Sequence, residues 1–204
     1  MQPRPPDERS LGFLETAGLA LGVVCADAMV KTAPVRLVLL AAVSGGRMLV
    51  AVDGAVAPVE AALARGVEVA GLSLVDALFI PDLHPDVPGA LQPVVTRQVA
   101  EALGLVETTT AAAAVRAADA ARKTAAIRIV RLRLSAGISG KGFLQITGTV
   151  ADVEAGVAAA ARAVEHAEFL VGTEVISAPH GDLRNWLSRG LLDDTPPFDP
   201  PEGA

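Results

Sequence analysis

The sequence has no tyrosine, a single cysteine and few aromatic residues of any kind. Aromatics make up 3% of its 204 residues, too few for a platform on which single-stranded nucleic acid would stack its bases. The formal net charge of −6 has the wrong sign for a surface that follows a phosphate backbone. One cysteine, Cys25, excludes an intrachain disulfide and any zinc site built from several cysteines of one chain, and a reducing cytoplasm is the simplest home. Hydrophobic residues reach 51% and the mean hydropathy is +0.46. Even so, no apolar run approaches the roughly 18 to 20 residues that a membrane span needs. The longest run of large aliphatics, Leu37 to Val43, predicts a buried strand. The first ten residues, MQPRPPDERS, lack the apolar stretch of a secretory leader. The apolar excess is therefore expected to hide in cores or in subunit contacts.

Catalytic signatures are missing as well. The chain contains no nucleophile elbow, no Walker A loop and no dinucleotide-binding glycine motif after a strand. GISGKG looks like a phosphate loop, but a strand follows Lys141 where a helix N-terminus would be needed. The three histidines, His84, His166 and His180, include no pair at metal-binding helical spacing. His84 and His180 occupy equivalent places after strands, where a structural hydrogen bond is expected. Glu15 and Glu107 are also equivalent, which favours service to the fold over acid–base work. No catalytic residue, no metal and no cofactor is expected.

What the chain does have is an internal repeat. DAMVKTAPVR, from Asp27 to Arg36, recurs as DAARKTAAIR from Asp119 to Arg128. With Gly12 placed on Gly104, the copies match without a gap to Leu40 on Leu132. The second copy then carries two extra residues around Leu134 to Gly137, after which Gly46 meets Gly140 and Arg47 meets Lys141. Near the end Ile80 and His84 meet Ile176 and His180. The expected organisation is a disordered arm over 1–10, a first domain over 11–92, a linker over 93–103 and a second domain over 104–189. The acidic, proline-rich segment 190–204 reads as a disordered tail.

Each copy predicts the order β-α-β-β-α-β. GFLET and GLVET are short apolar runs and read as strands. The alanine-rich segments 18–32 and 110–124 follow as helices, with Thr109 or Thr110 as a cap in the second. Pro34 stops the first helix. VRLVLLAAV and RMLVAVDG, like IRIVRLRL and GFLQITG, form strand pairs joined by the glycine-bearing loops SGG and ISGK. AVAPVEAALARGVEVA and TVADVEAGVAAAARAVEHA are amphipathic helices, and LSLVDALFIP and FLVGTEVIS are closing strands. Short helices are expected at 88–91 and 182–188. The fold class is α/β of the α+β, ferredoxin-like kind, with an antiparallel sheet flanked by helices in each copy.

In order, the motifs are a G-x-x-E-T strand, a D-A-x-x-K helix, a glycine-rich hairpin, a V-x-x-V-E helix and a terminal I-x-x-x-H. They resemble the bacterial microcompartment shell domain, occurring twice in unpermuted order over nearly all of 12–187. The resemblance implies a homotrimer of pseudohexagonal outline. Such a trimer tiles into a shell beside single-domain hexameric and pentameric shell proteins, in the cytoplasm. It implies that Lys31 and Lys123 lie at the tile edge. Ser44, Gly45 and Gly46 would line a central pore with Ile138, Ser139 and Gly140, and Arg47 and Lys141 would stand at its mouth. Six loops converging on an axis leave room only for small residues, and backbone amides with serine hydroxyls would pass small polar or anionic metabolites. No nucleic acid and no membrane are implied. The sequence departs from the family at Asp82 and Ala178, where an arginine is common. A soluble ferredoxin-like trimer that binds a small ligand is the alternative.

Overall fold

A computed structural model of the chain describes residues 9–90, 98–135, 137–165 and 168–189. The first unit runs β1 (Ser10–Ala17), α1 (Leu19–Thr32), β2 (Arg36–Val43), β3 (Arg47–Gly54), α2 (Val56–Ala70), a single 3-10 turn, β4 (Leu74–Ile80) and α3 (Asp86–Ala90). The second repeats it as β5 (Ala102–Thr108), α4 (Ala111–Thr124), β6 (Arg128–Leu134), β7 (Gly142–Gly148), α5 (Val150–Glu165), β8 (Leu170–Ile176) and α6 (Gly181–Arg189). Each unit forms one antiparallel four-stranded sheet, in the orders β2-β3-β1-β4 and β6-β7-β5-β8. This is the ferredoxin-like arrangement that the element order predicts. Ser10 and Ala102, assigned by sequence to the arm and the linker, are the first residues of β1 and β5. The Ser10 hydroxyl donates to the Pro81 carbonyl at 2.8 Å. Residues 1–8, 93–97 and 190–204 of the expected arm, linker and tail lie outside the described residues, as does His166.

Local chemistry sets the element ends. Thr110 caps α4, its hydroxyl accepting from the Ala113 amide at 3.1 Å. The equivalent residue of α1 is Gly18, at φ 109°, and it offers no side-chain cap. α1 stops at Thr32, ahead of Pro34. The inner face of the first sheet packs Leu14, Val50 and Val52 against Met29, Val59 and Leu63 of its own helices, with Cys25 buried beside them.

The outer face of the first sheet is covered by the second unit. Leu11, Phe13, Leu49, Leu78 and Ile80 join a continuous core with the alanine face of α4. α4 lies against β1 and β4, and α3 packs on β6. The two repeats therefore stack head to tail, the helix of one on the sheet of the other. Burying an apolar face this way is worth about 25 cal/mol per Å² removed from water.

This stacking explains a failed expectation. The Leu37–Val43 run is not a buried strand but the edge strand β2, with Leu37, Val38 and Leu40 exposed by 39%, 41% and 44%. Their equivalents on β6, Ile129 and Leu132, are exposed by 1% and 7% and lie in the core shared by the two units, while Val130, exposed by 4%, is covered by Val99 and Leu187 of its own unit. The same holds for the helices. Leu19 and Val23 of α1 are exposed, whereas Ala111 and Val115 of α4 are fully buried. The second unit has a neighbour on this side within the chain, and the first does not.

Candidate functional site

The two hairpin loops meet at one end of the junction between the units. The first, Ser44–Gly46, turns through Gly45 at φ 80° and Gly46 at φ 69°, a left-handed path that glycine takes without strain. The second is longer and reaches left-handed backbone at Ser135, Gly137, Ser139 and Gly140. Its extra length is used for contact: the Gly137 amide donates to Ser44 Oγ at 2.8 Å. Gly45, Gly46 and Ser139 are exposed, Ser44 and Ile138 are half-buried, and Gly140 is buried. A Cβ on Gly140 would meet Arg47 Cζ at 2.8 Å.

Arg47 occupies that space as a bracket. Its Nη1 donates to Glu15 at 2.7 Å, to the Gly140 carbonyl at 3.0 Å and to the Thr109 carbonyl at 3.4 Å. Glu15 is fully buried, and its second oxygen accepts from the Ala111 amide at the start of α4 at 2.9 Å. Burial pushes the Glu15 carboxyl above its usual range, and Arg47 and the α4 amides pull it back. One carboxylate thus holds a loop cation and a helix N-terminus from opposite units. At the equivalent place Lys141 donates to Glu107 at 2.8 Å, and both are substantially exposed.

The edge lysines share a different device. Lys31 Nζ lies 2.6 Å from Asp27, and Lys123 Nζ lies 2.7 Å from Asp119, each pair one helical turn apart. Asp119 does more: its other oxygen accepts from the His84 backbone amide of the first unit at 2.8 Å. Sequence reasoning singled out the lysine and overlooked this aspartate, although both copies keep D-A-x-x-K. His84 Nδ1 accepts from the Asp86 amide at 3.2 Å and His180 Nδ1 from the Asp182 amide at 3.3 Å, the structural role expected of them. Burial first, then the charge of Arg122, lowers the His84 pKa. At the departure from the arginine pattern, Asp82 pairs with Arg9 at 3.0 Å.

A third carboxylate was invisible to motif reading. Asp76 on β4 is buried and accepts from the Thr110 hydroxyl at 2.6 Å across the junction. Burial raises its pKa, while the Thr110 hydroxyl, the backbone amide of Ala77 and the charge of Arg116 oppose the rise. Among the described residues, no group of three or more histidine, cysteine, aspartate or glutamate side chains is placed to hold a metal. No helix among them is long and apolar enough to cross a membrane.

A profile of the BMC domain matches residues 10–83 and again 102–179. The chain belongs to the BMC-domain family. It is 34% identical over 182 residues to the bacterial microcompartment shell protein PduT of Citrobacter freundii, covering 89% of this chain and 99% of that protein. It is 36% identical over 95 residues to the microcompartment shell protein EutM of Escherichia coli, which covers 47% of this chain and 96% of EutM. Among solved structures, a microcompartment protein from Desulfitobacterium hafniense superposes with a TM-score of 0.76 at 36% identity, over 86% of this chain and 98% of that one. The two BMC domains are the two stacked units, and PduT is matched from end to end.

Proposed function

We propose that this tandem BMC protein is a structural tile of a bacterial microcompartment shell, a homotrimer of pseudohexagonal outline that performs no catalysis. One observation carries the reading. The apolar strip on α1 and β2 is exposed, while its counterpart on α4, with Ile129 and Leu132 of β6, lies in the core shared with the first unit. A ring in which the α1 side of each chain meets the β5–β8 face of the next would give the exposed strip the same cover, and closed cyclic assembly is the usual outcome of a repeated head-to-tail contact.

In this ring the hairpin loops converge on the axis. Ser44, Gly45 and Gly46 alternate with Ile138, Ser139 and Gly140 around a pore of three-fold symmetry that passes small polar or anionic metabolites. Arg47 and Lys141 stand behind the loops as partners of Glu15 and Glu107. Most of their charge is thereby neutralised, and they act as braces of the pore wall more than as anion attractors. Lys31 and Lys123 lie at the outer edge, positioned by Asp27 and Asp119 to meet neighbouring hexameric and pentameric tiles in the cytoplasmic shell. The division into two domains belongs to the same reading, with the starts expected at 11 and 104 moved back to Ser10 and Ala102, where β1 and β5 begin.

Native mass spectrometry of the purified chain, with negative-stain images alone and after mixing with a single-domain shell protein, tests it. Trimers that enter hexagonal arrays are expected. A soluble trimer that never joins a lattice, and that a small ligand stabilises thermally, would replace the tile by a ligand-binding protein. A monomer would overturn the ring.

A further inference from the structure

The two repeats allow a comparison that a single domain does not. Within the chain, the β1–β4 face of the first unit receives α4. Three side chains mark this junction: Asp76 on β4, and Thr110 and Arg116 on α4. Asp76 stands opposite Glu15 in the strand register. It accepts from Thr110 at 2.6 Å and feels the charge of Arg116.

In the second unit the residue opposite Glu107 in the same register is Gly172. On α1 the counterparts of Thr110 and Arg116 are Gly18 and Val24. The acceptor, its hydroxyl donor and the nearby cation have therefore changed together, from a polar set to glycine, glycine and valine. In the chain a Cβ on Gly172 or on Gly18 would meet nothing within 4 Å, and Val24 is exposed by 54%. The positions are open, and they are distant members of one chain with no contact to keep them matched.

We propose that these two sets are a junction code. The polar set Asp76–Thr110–Arg116 closes the contact within a chain, and the small, apolar set Gly172–Gly18–Val24 closes the contact between chains, where Gly172 of one copy faces Gly18 and Val24 of the next. The inference rests on the ring described above and adds its register. Each set rejects the other. A first unit stacked on another first unit would bury the Asp76 carboxylate against Gly18 and Val24, without a donor. A second unit on another second unit would bury Arg116 against Gly172, without an anion. An unpaired buried charge is a strong penalty, larger than the net gain of the pair itself, so the code acts by exclusion. It keeps the units strictly alternating and prevents chains from joining out of register into open polymers.

The test is a double-mutant cycle between chains, read as the concentration at which trimers dissociate in a native mass spectrometry dilution series. Val24→Arg alone and Gly172→Asp alone are each expected to shift dissociation to about 100-fold higher concentration. Val24→Arg with Gly172→Asp places the charge relation of Arg116 and Asp76 across the interface, with Gly18 still standing where α4 has Thr110, and should recover at least about tenfold of that loss. Wild-type trimers with unaffected single variants, or a double variant whose losses add, would overturn the code and leave the ring intact. A wild-type monomer would overturn the ring itself. Far-UV circular dichroism checks that each variant is folded. If either is not, Val24→Asp with Gly172→Arg runs the same cycle with the charges exchanged.

Discussion

Glu15 offers the sharpest test of how the two units are held together. Its carboxylate is fully buried, and it accepts from Arg47 at 2.7 Å and from the Ala111 amide at 2.9 Å. A hydrogen bond to a charged group contributes about 1.5–3 kcal/mol. Glu15→Ala removes both and leaves the Ala111 amide unpaired in a dry place. The expected loss is about 3–5 kcal/mol, the scale of a broken buried pair. At about 2–4 °C per kcal/mol for a chain of this size, melting should fall by roughly 6–20 °C at fixed protein concentration. Glu15→Gln keeps an acceptor for the Ala111 amide and removes the charge. Because burial raises this carboxyl above its ordinary value of 4.5, the fold already disfavours its ionised form, so Gln should cost only about 1 kcal/mol. The sign of the pH effect follows. A raised folded pKa gives stability that is full below about 4.5 and is lost as pH rises through the folded value. Wild type should therefore gain on Glu15→Gln as the pH is lowered from 7 toward 4.5. Differential scanning calorimetry of the three proteins across that range decides the matter. Gln as damaging as Ala, or a wild type that loses ground to Gln on acidification, would refute the reasoning.

Lys31→Ala with Lys123→Ala should abolish sheet formation in negative stain while native mass spectrometry still records trimers. Persistent sheets would remove the edge role from these residues. Val38→Glu places a charge on the exposed strip of β2, and it should yield a folded monomer by circular dichroism and light scattering. An unchanged trimer would mean that another surface closes the ring. Gly22→Ala puts a Cβ 2.4 Å from Met48 Cβ and should destabilise the first unit by about 1–3 kcal/mol in urea unfolding, as overpacking does. No loss of stability would show that α1 sits farther from β3 than described.

Much of this was legible in the sequence because the repeat compared itself. The element order, a threonine cap at 109 or 110, the stop before Pro34 and the structural roles of His84 and His180 all follow from local chemistry. What escaped were relations between units. Leu37–Val43 reads as a buried strand because composition reports apolarity without saying who covers it. Asp76 belongs to no motif, and its importance arises only when α4 is laid on β4. Arg47 reads as a free cation at a loop, yet its partner Glu15 comes from a strand far away in the chain. Asp119 was hidden behind the lysine beside it, although the doubled phrase preserves both. The length difference between the two loops was visible, but the Ser44–Gly137 contact that uses it was not.

The continuous core between the units bears on dilution. In a ring of separate domains every contact is lost to mass action when subunits become scarce. In the proposed ring half of the contacts between units are intramolecular, formed at an effective concentration that no dilution lowers. The same covalent tie lets alternate positions of one ring differ in sequence with no sorting problem during assembly. A loop or an edge can then change in one half of the ring while the other half keeps the lattice.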